Sequence, residues 1–260
     1  MIRALTTAAT GLEAQQANIE RISHDIANAN TDGYKRSRNE FEDLLYETVK
    51  DPGAPLGNGS TSPVGVQTGL GVKVGAGYKN FEQGPARMTY NPLDIMIEGQ
   101  GFFPVEMPDG NIAYTRTGSF KKDAEGRIVL SNGSLLVPQV TIPNNTIGIS
   151  ISQNGEIKAA LPGQAEAIIG QIQLVNFINP RGLIAQGKGL YLPSQAAGDP
   201  IQAIPGENGM GLLQAGALEG SNVNIANSMV DMITTQRTYE MNTKMMGVAD
   251  KMLQSTVNVK

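Results

Sequence analysis

The sequence predicts an α+β fold in which N- and C-terminal helices pair as a coiled-coil-like unit around an inserted antiparallel β domain. Three observations carry this. Both ends of the 260-residue chain show helical periodicity with almost no Gly or Pro. The middle alternates with period two, and turn dipeptides punctuate it at hairpin spacing.

The first element is a helix over residues 2–29. Its apolar positions Ile2, Leu5, Ala9, Leu12, Ile19 and Ile26 are separated by three, four or seven residues. It stops at Asn30-Thr31-Asp32-Gly33, where Gly suits a left-handed helix end and Asn and Asp favour turns. The basic run Lys35-Arg36-Ser37-Arg38 reads either as a solvated junction or as a partner for acidic groups of a neighbour, such as Glu40, Glu42 or Asp43. Residues 35–69 read as an extended connector, with Pro52, Pro55 and Pro63 in a stretch rich in Gly, Ser and Thr. Val64, Val66, Leu70, Val72 and Val74 then begin to alternate, and turn signals recur at Asp109-Gly110, Glu125-Gly126, Asn132-Gly133, Asn144-Asn145 and Asn154-Gly155. Residues 128–130, 147–151 and 168–177 are the expected core strands of an antiparallel β domain over 70–212, followed by connector residues 213–221.

The last element is a helix from residue 225, capped by Asn222 or Asn224. One apolar seam runs Ile225, Met229, Met232, Gln236, Tyr239, Thr243, Met246, Leu253, Val257, and a second runs Val230, Ile233, Met241, Met245, Val248, Met252. At about 100° per residue the two stripes lie far apart on the cylinder. A helix with two apolar stripes needs two sets of neighbours, and a single helical hairpin supplies only one. The surplus means contacts with other chains, as an open helical polymer or a closed coiled-coil oligomer.

Composition narrows the function classes. The 20 Lys+Arg against 24 Asp+Glu, net charge −4, argue against a nucleic-acid binder. With no cysteine and a single imidazole, His24, there is no thiolate chemistry and no multi-histidine metal site. Gly99-Gln100-Gly101 lacks the third Gly and the helix of a dinucleotide fingerprint, and Gly69-Leu70-Gly71 and Gly187-Lys188-Gly189 lack a phosphate-loop ending. Asp94 with Glu98, or Asp123 with Glu125, is a carboxylate pair of the kind a glycoside hydrolase uses, but no Trp platform accompanies them. The Met229, Met232, Met241, Met245, Met246 and Met252 cluster suits adaptable packing rather than thioether ligation. The expectation is a non-enzyme with no catalytic, cofactor or metal residues. No stretch approaches the ~18 apolar residues of a membrane span and the N-terminus lacks an apolar signal core.

Four segments resemble the rod and hook proteins of the bacterial flagellar axis. They are Ser23-His24-Asp25-Ile26-Ala27-Asn28-Ala29-Asn30-Thr31-Asp32-Gly33-Tyr34-Lys35; Asp94-Ile95-Met96-Ile97-Glu98-Gly99-Gln100-Gly101-Phe102-Phe103; Tyr114-Thr115-Arg116-Thr117-Gly118-Ser119-Phe120; and Leu218-Glu219-Gly220-Ser221-Asn222-Val223-Asn224 with Met232-Ile233-Thr234-Thr235-Gln236-Arg237-Thr238-Tyr239-Glu240-Met241-Asn242. His24 and Asp25 stand where paired Asn is common, Met96 where a small residue is, and Thr238 where Ala is usual. Length and the 48–66 stretch are most similar to the distal-rod type, with proximal rod, hook-type subunit and helix-oligomerised β binding module as alternatives.

The resemblance implies a self-assembling structural subunit of the basal body, important for motility. Terminal helices from many copies form an inner tube that carries torque and walls the export channel, with β domains outside. It implies contacts of Ile2, Leu5, Leu12, Ile19, Ile26, Met229, Met232, Ile233, Tyr239, Met245, Met246, Met252 and Leu253 between subunits. Its partners are further copies of itself, proximal rod proteins, the hook protein, the surrounding ring bushing and the flagellar type III export apparatus, with no nucleic acid and no bilayer insertion. The rod spans periplasm to outer membrane, and its subunits are exported without a cleaved signal peptide. The family motif residues are Asn28, Asn30, Thr31, Gly33, Tyr34, Gly99, Gly101, Phe102, Phe103, Ser221, Asn222, Val223, Gln236, Arg237, Tyr239 and Glu240.

Overall fold

A computed structural model describes residues 2–55, 61–163 and 166–258; the side chains of Ile2 and of 256–258, and with them the expected contacts of Ile2 and Val257, lie outside the described residues. The chain forms two compact units. The first comprises Met1–Ala27, Ser37–Tyr78 and Asn224–Lys260, the second Asn28–Arg36 and Lys79–Val223.

In the first unit, helix α1 (Ile2–Ala27) lies against helix α2 (Ile225–Asn258). A Cβ placed on Gly11 would come within 3.1 Å of the Asn242 Nδ2, and Asn18 Nδ2 donates to Thr235 Oγ1 at 3.2 Å. The contacts run in opposite order along the two helices, so the pair is antiparallel. On α2 the covered positions include Ser228, Met232, Thr235, Tyr239, Asn242, Met246, Ala249 and Leu253, with gaps of four and three residues, and Thr238 beside them. This corrects the expected first seam: Ile225, Met229, Gln236 and Thr243 are exposed. The reason is the kind of residue at the seam. Small and hydroxyl or amide side chains let the backbones approach and bond across, and an apolar count passes over them. On α1, Ala14 and Ile22 are buried, while Leu5, Leu12, Ile19 and Ile26 are half-buried. Asn224 caps α2, its Oδ1 accepting from Asn227 N at 3.1 Å.

Residues expected as an extended connector instead form most of a long two-stranded ribbon. Strands β1 (Ser37–Asp43) and β4 (Val72–Lys79) pair, as do β2 (Tyr46–Lys50) and β3 (Val66–Gly69). Leu44 N to Gly71 O at 2.8 Å and Leu70 N to Leu45 O at 3.2 Å carry the ladder across the interruption. Beyond β2, Gly53 N bonds Ser62 O and Ser62 N bonds Ala54 O, so the described parts of the 48–66 stretch, residues 48–55 and 61–66, continue the hairpin; residues 56–60 of that stretch lie outside the described residues. The alternation at Val64 to Val74 does make strands, but they pair within the ribbon. Its root is fixed to α1: Asp25, 2% exposed, accepts from Ser37 N at 3.0 Å and from Arg21 Nη1 at 2.9 Å, and Arg21 also donates to Ser37 O.

The second unit is β structure whose ladders are antiparallel. In chain order its strands are β5 (Ala86–Met88), β6 (Ile95–Glu98), β7 (Phe103–Glu106), β8 (Ile112–Thr115), β9 (Phe120–Lys122), β10 (Ile128–Leu130), β11 (Leu135–Leu136), β12 (Gly148–Ile151), β13 (Glu156–Ala160), β14 (Ala167–Gln171), β15 (Leu174–Asn176), β16 (Ile184–Gly187), β17 (Leu190–Leu192), β18 (Ile201–Ala203), β19 (Leu212–Ala215) and β20 (Ala217–Glu219). Seven form one sheet in the order β16-β17-β8-β7-β11-β10-β9; β12-β13-β14 form another; β15-β18, β19-β6 and β20-β5 pair separately. Each predicted turn dipeptide falls in a turn. The expected strand over 168–177 divides into β14 and β15. Ile95, Ile97, Phe103, Val105, Phe120, Leu136 and Ile157 are buried in the main core, with Phe103 edge-on to Phe120 at 5.2 Å. A smaller core gathers Phe102, Tyr114, Val175, Phe177 and Tyr191.

Tyr90 departs from this economy: it sits at φ 59° with 85% of its surface exposed. A left-handed backbone at a non-glycine residue costs about 1–2 kcal/mol, and an exposed ring returns little of it. Tyr90→Gly is therefore expected to raise stability by about 1 kcal/mol in urea denaturation of the monomer.

Candidate functional site

The residues weighed for chemistry are used structurally. Asp94 is buried and accepts from Asn91 Nδ2 at 3.1 Å, while Glu98 is exposed. Asp123 and Glu125 both hold Arg127, and hydrogen bonds with Glu125 and Arg127 keep the Asp123 carboxyl down at about 2. Gly99 and Gly101 adopt φ 113° and 127° in a turn that leads into β7, not into a helix. His24 is exposed near the end of α1. Among the described residues no group of three or more His, Cys, Asp or Glu is placed to hold a metal ion.

What the second unit does assemble is the meeting point of the motif segments. Lys35 and Glu219, 184 residues apart, form an ion pair at 2.6 Å with both side chains fully buried. Lys35 Nζ also donates to Glu82 O at 2.7 Å, and Gly84 N donates to the same Glu219 oxygen at 2.9 Å. Burial pulls the Lys35 pKa below its ordinary value, against the attraction of Glu219. This corrects the reading of Lys35 as a solvated or neighbour-facing cation; Arg36, by contrast, is exposed and pairs with Glu82.

Arg116 enters from the third segment. It is 4% exposed, donates to Gly99 O at 2.8 Å, stands 5.3 Å from the Phe102 ring centroid, and places Nη1 3.7 Å from Glu219 Oε2. Backbone joins the same segments, with Gly33 N donating to Glu219 O at 2.7 Å. Gly33 has φ 70°, and a Cβ there would lie 2.8 Å from Thr117 N, so the close approach itself demands glycine. Asn222 is bonded on all sides: Oδ1 accepts from Arg36 N at 2.7 Å, Nδ2 donates to Asn80 O and Glu82 O, and its own N reaches Tyr34 O. Thr31 bonds Asn28, Lys79 Nζ lies 4.4 Å from the Tyr34 ring centroid, and Ser221 Oγ accepts from Val223 N. Asn30 is exposed. The two motif halves thus act as a clasp within this unit, and the importance of Glu219 and Arg116 was not visible in local spacing.

In the first unit the notable surface is the outward side of α2. Met229, Val230, Ile233, Met241, Met245, Val248 and Met252 are each 51–64% exposed. They include the whole second seam read from the sequence. Gln236, Arg237 and Glu240 of the fourth motif are exposed as well, while Tyr239 is half-buried. The ribbon adds Phe41, Leu45, Tyr46, Val49, Val64 and Val66, from 43% to 84% exposed.

Comparison with known proteins matches three family models: a flagella basal body rod protein model at residues 5–35, the D1 domain model of flagellar hook protein FlgE/F/G at 96–159, and the C-terminal model of flagellar basal body rod FlgEFG proteins at 214–259. The chain is 46% identical over 255 residues to the flagellar basal-body rod protein FlgG of Buchnera aphidicola subsp. Schizaphis graminum, covering 98% of each chain. It is 46% identical over 257 residues to FlgG of Caulobacter vibrioides, again 98% of each. FlgG of Bacillus subtilis is 32% identical over the full length of both. At 46% identity over 98% of each chain, with rod and hook family models matched at both ends and in the middle, the chain belongs to the FlgG-type family of flagellar basal-body rod proteins.

Proposed function

We propose that this chain, a structural rod subunit and not an enzyme, assembles into the distal rod as a helical homopolymer whose terminal helices line an inner tube. The supporting observation is the outward face of α2. Seven large apolar side chains more than half exposed along one helix are stable in water only where other chains cover them. The antiparallel α1–α2 pair behaves as a coiled-coil-like unit, and Leu5, Leu12, Ile19 and Ile26, half-buried beside its seam, complete contacts between subunits. In the assembled tube this pair transmits torque to the hook, walls the export channel, and sits between proximal rod proteins and the surrounding ring bushing. The tip of the ribbon, residues 48–66, braces neighbouring copies and keeps the tube straight. Its two paired strands and three prolines resist bending better than a single extended segment does.

Purified protein at high concentration is expected to form straight tubes in electron microscopy, and deletion of residues 2–29 to abolish both the tubes and swimming. Retained swimming after that deletion overturns the reading. Deletion of 48–66 is expected to give bent tubes; straight ones would favour a proximal-rod subunit.

A further inference from the structure

The chain has no cysteine and no tryptophan, so its methionine thioethers are the side chains that an oxidant attacks most readily. They are unevenly placed. Met96, Met107 and Met210 are at most 8% exposed in the β unit, and Met232 and Met246 are half-buried on α2. Met241, Met245 and Met252, by contrast, are 57%, 64% and 53% exposed. Spaced four and seven residues apart, they fall within about 40° of one another at about 100° per residue, on the outward face of α2. Two other exposed methionines stand apart: Met229, about 120° or more around the same helix, and Met88 in the β unit, whose sulfur lies 3.9 Å from Gln214 Nε2.

We propose that Met241, Met245 and Met252 form a redox-sensitive modification site, which peroxide converts to sulfoxides in the free subunit and which then blocks assembly. The inference rests on the reading of this face as a contact between subunits. A sulfur lone pair attacks one oxygen of hydrogen peroxide; the S–O bond forms as the O–O bond breaks, and the departing hydroxide takes the proton of the transferred oxygen and leaves as water. Sulfur is oxidised by two electrons and the peroxide is reduced by two. The product carries a polar S–O group where the thioether was apolar. In the monomer that oxygen stays in water, so the fold loses nothing. In a subunit contact it has to be stripped of water against apolar neighbours, which opposes association. Assembly covers the same sulfurs, so the site is open only until a subunit is built in.

The test treats the full-length monomer with hydrogen peroxide, maps the sulfoxides by peptide mass spectrometry and measures assembly by sedimentation. Met241, Met245 and Met252 are expected to gain oxygen before Met96, Met107 and Met210, with the thermal unfolding midpoint of the monomer unchanged. The concentration needed for assembly should rise at least about a hundredfold with all three oxidised. Treatment with the pair of methionine sulfoxide reductases, one for each epimer, should restore it. The triple variant Met241→Leu, Met245→Leu, Met252→Leu, close in volume, should assemble before and after peroxide alike, which assigns the effect to these sulfurs rather than to Met88 or Met229. The proposal is overturned if the oxidised protein assembles as before, or if peroxide blocks the leucine variant equally. The triple variant Met241→Gln, Met245→Gln, Met252→Gln separates the two readings. If it assembles normally, this face is not a subunit contact and both fall; if it fails to assemble while the oxidised protein still assembles, the redox inference alone falls.

Discussion

Glu219→Ala is expected to destabilise the monomer by about 3–5 kcal/mol, enough to leave much of the β unit unfolded at ordinary temperature. The carboxylate is the one anion between Lys35 and Arg116, and all three are at least 96% buried. Removing it strands two cations in a low-dielectric interior and also withdraws the acceptor of Gly84 N. The cluster is already under-satisfied, since Arg116 Nε and Nη1 and Glu219 Oε2 have no hydrogen-bond partner among the described residues. Its energy therefore resides in mutual compensation rather than in surplus attraction. The double variant Lys35→Met with Glu219→Leu is accordingly expected to be less destabilised than Glu219→Ala alone, because a buried pair replaced as a whole by apolar groups is often close to neutral. Urea denaturation followed by circular dichroism measures both. If the double variant is destabilised as much as Glu219→Ala or more, the pair does not act as a unit.

Met241→Glu combined with Met245→Glu should have the opposite profile: a monomer of nearly unchanged stability that no longer polymerises. Both side chains are more than half exposed, so the change within the monomer should stay near ±0.5 kcal/mol. In the tube each lost methionine forfeits about 2 kcal/mol of burial, before any cost of desolvating the new carboxylates. Together that is at least about 4 kcal/mol, or roughly a thousandfold rise in the concentration needed for assembly. Sedimentation at increasing concentration reads it directly. Met246→Glu serves as contrast, since Met246 is half-buried against α1 and its replacement should unsettle the monomer itself. Unchanged assembly of the first variant would mean that this face of α2 is not the one that neighbours cover.

What the sequence made legible follows from range. Local signals were sufficient for the two helices, the turn dipeptides and the second stripe of α2, and narrowed the α2 cap to Asn222 or Asn224, of which the structure uses Asn224. A stripe at period 3.6 is visible whether or not its partner is present. The α1–α2 seam was displaced because Gly11, Asn18, Thr235 and Asn242 work by closeness and hydrogen bonding, which hydrophobic counting does not register. The ribbon was missed because charges such as Glu40, Glu42, Asp43 and Glu47 interrupt the apolar alternation of its outgoing strands, although pairing to β3 and β4 needs only the backbone. Lys35 was misplaced for the most general reason. A lysine in a basic run looks solvated until a carboxylate 184 residues away is folded onto it.

The register of the helix pair has a mechanical consequence. Gly11 meets Asn242 and Asn18 meets Thr235, so a slip of either helix by one turn, about 5.4 Å, breaks both contacts at once. The seam is keyed: its close-approach and polar contacts exist in one register alone, and they resist shear along the axis where a purely apolar seam could slide and repack.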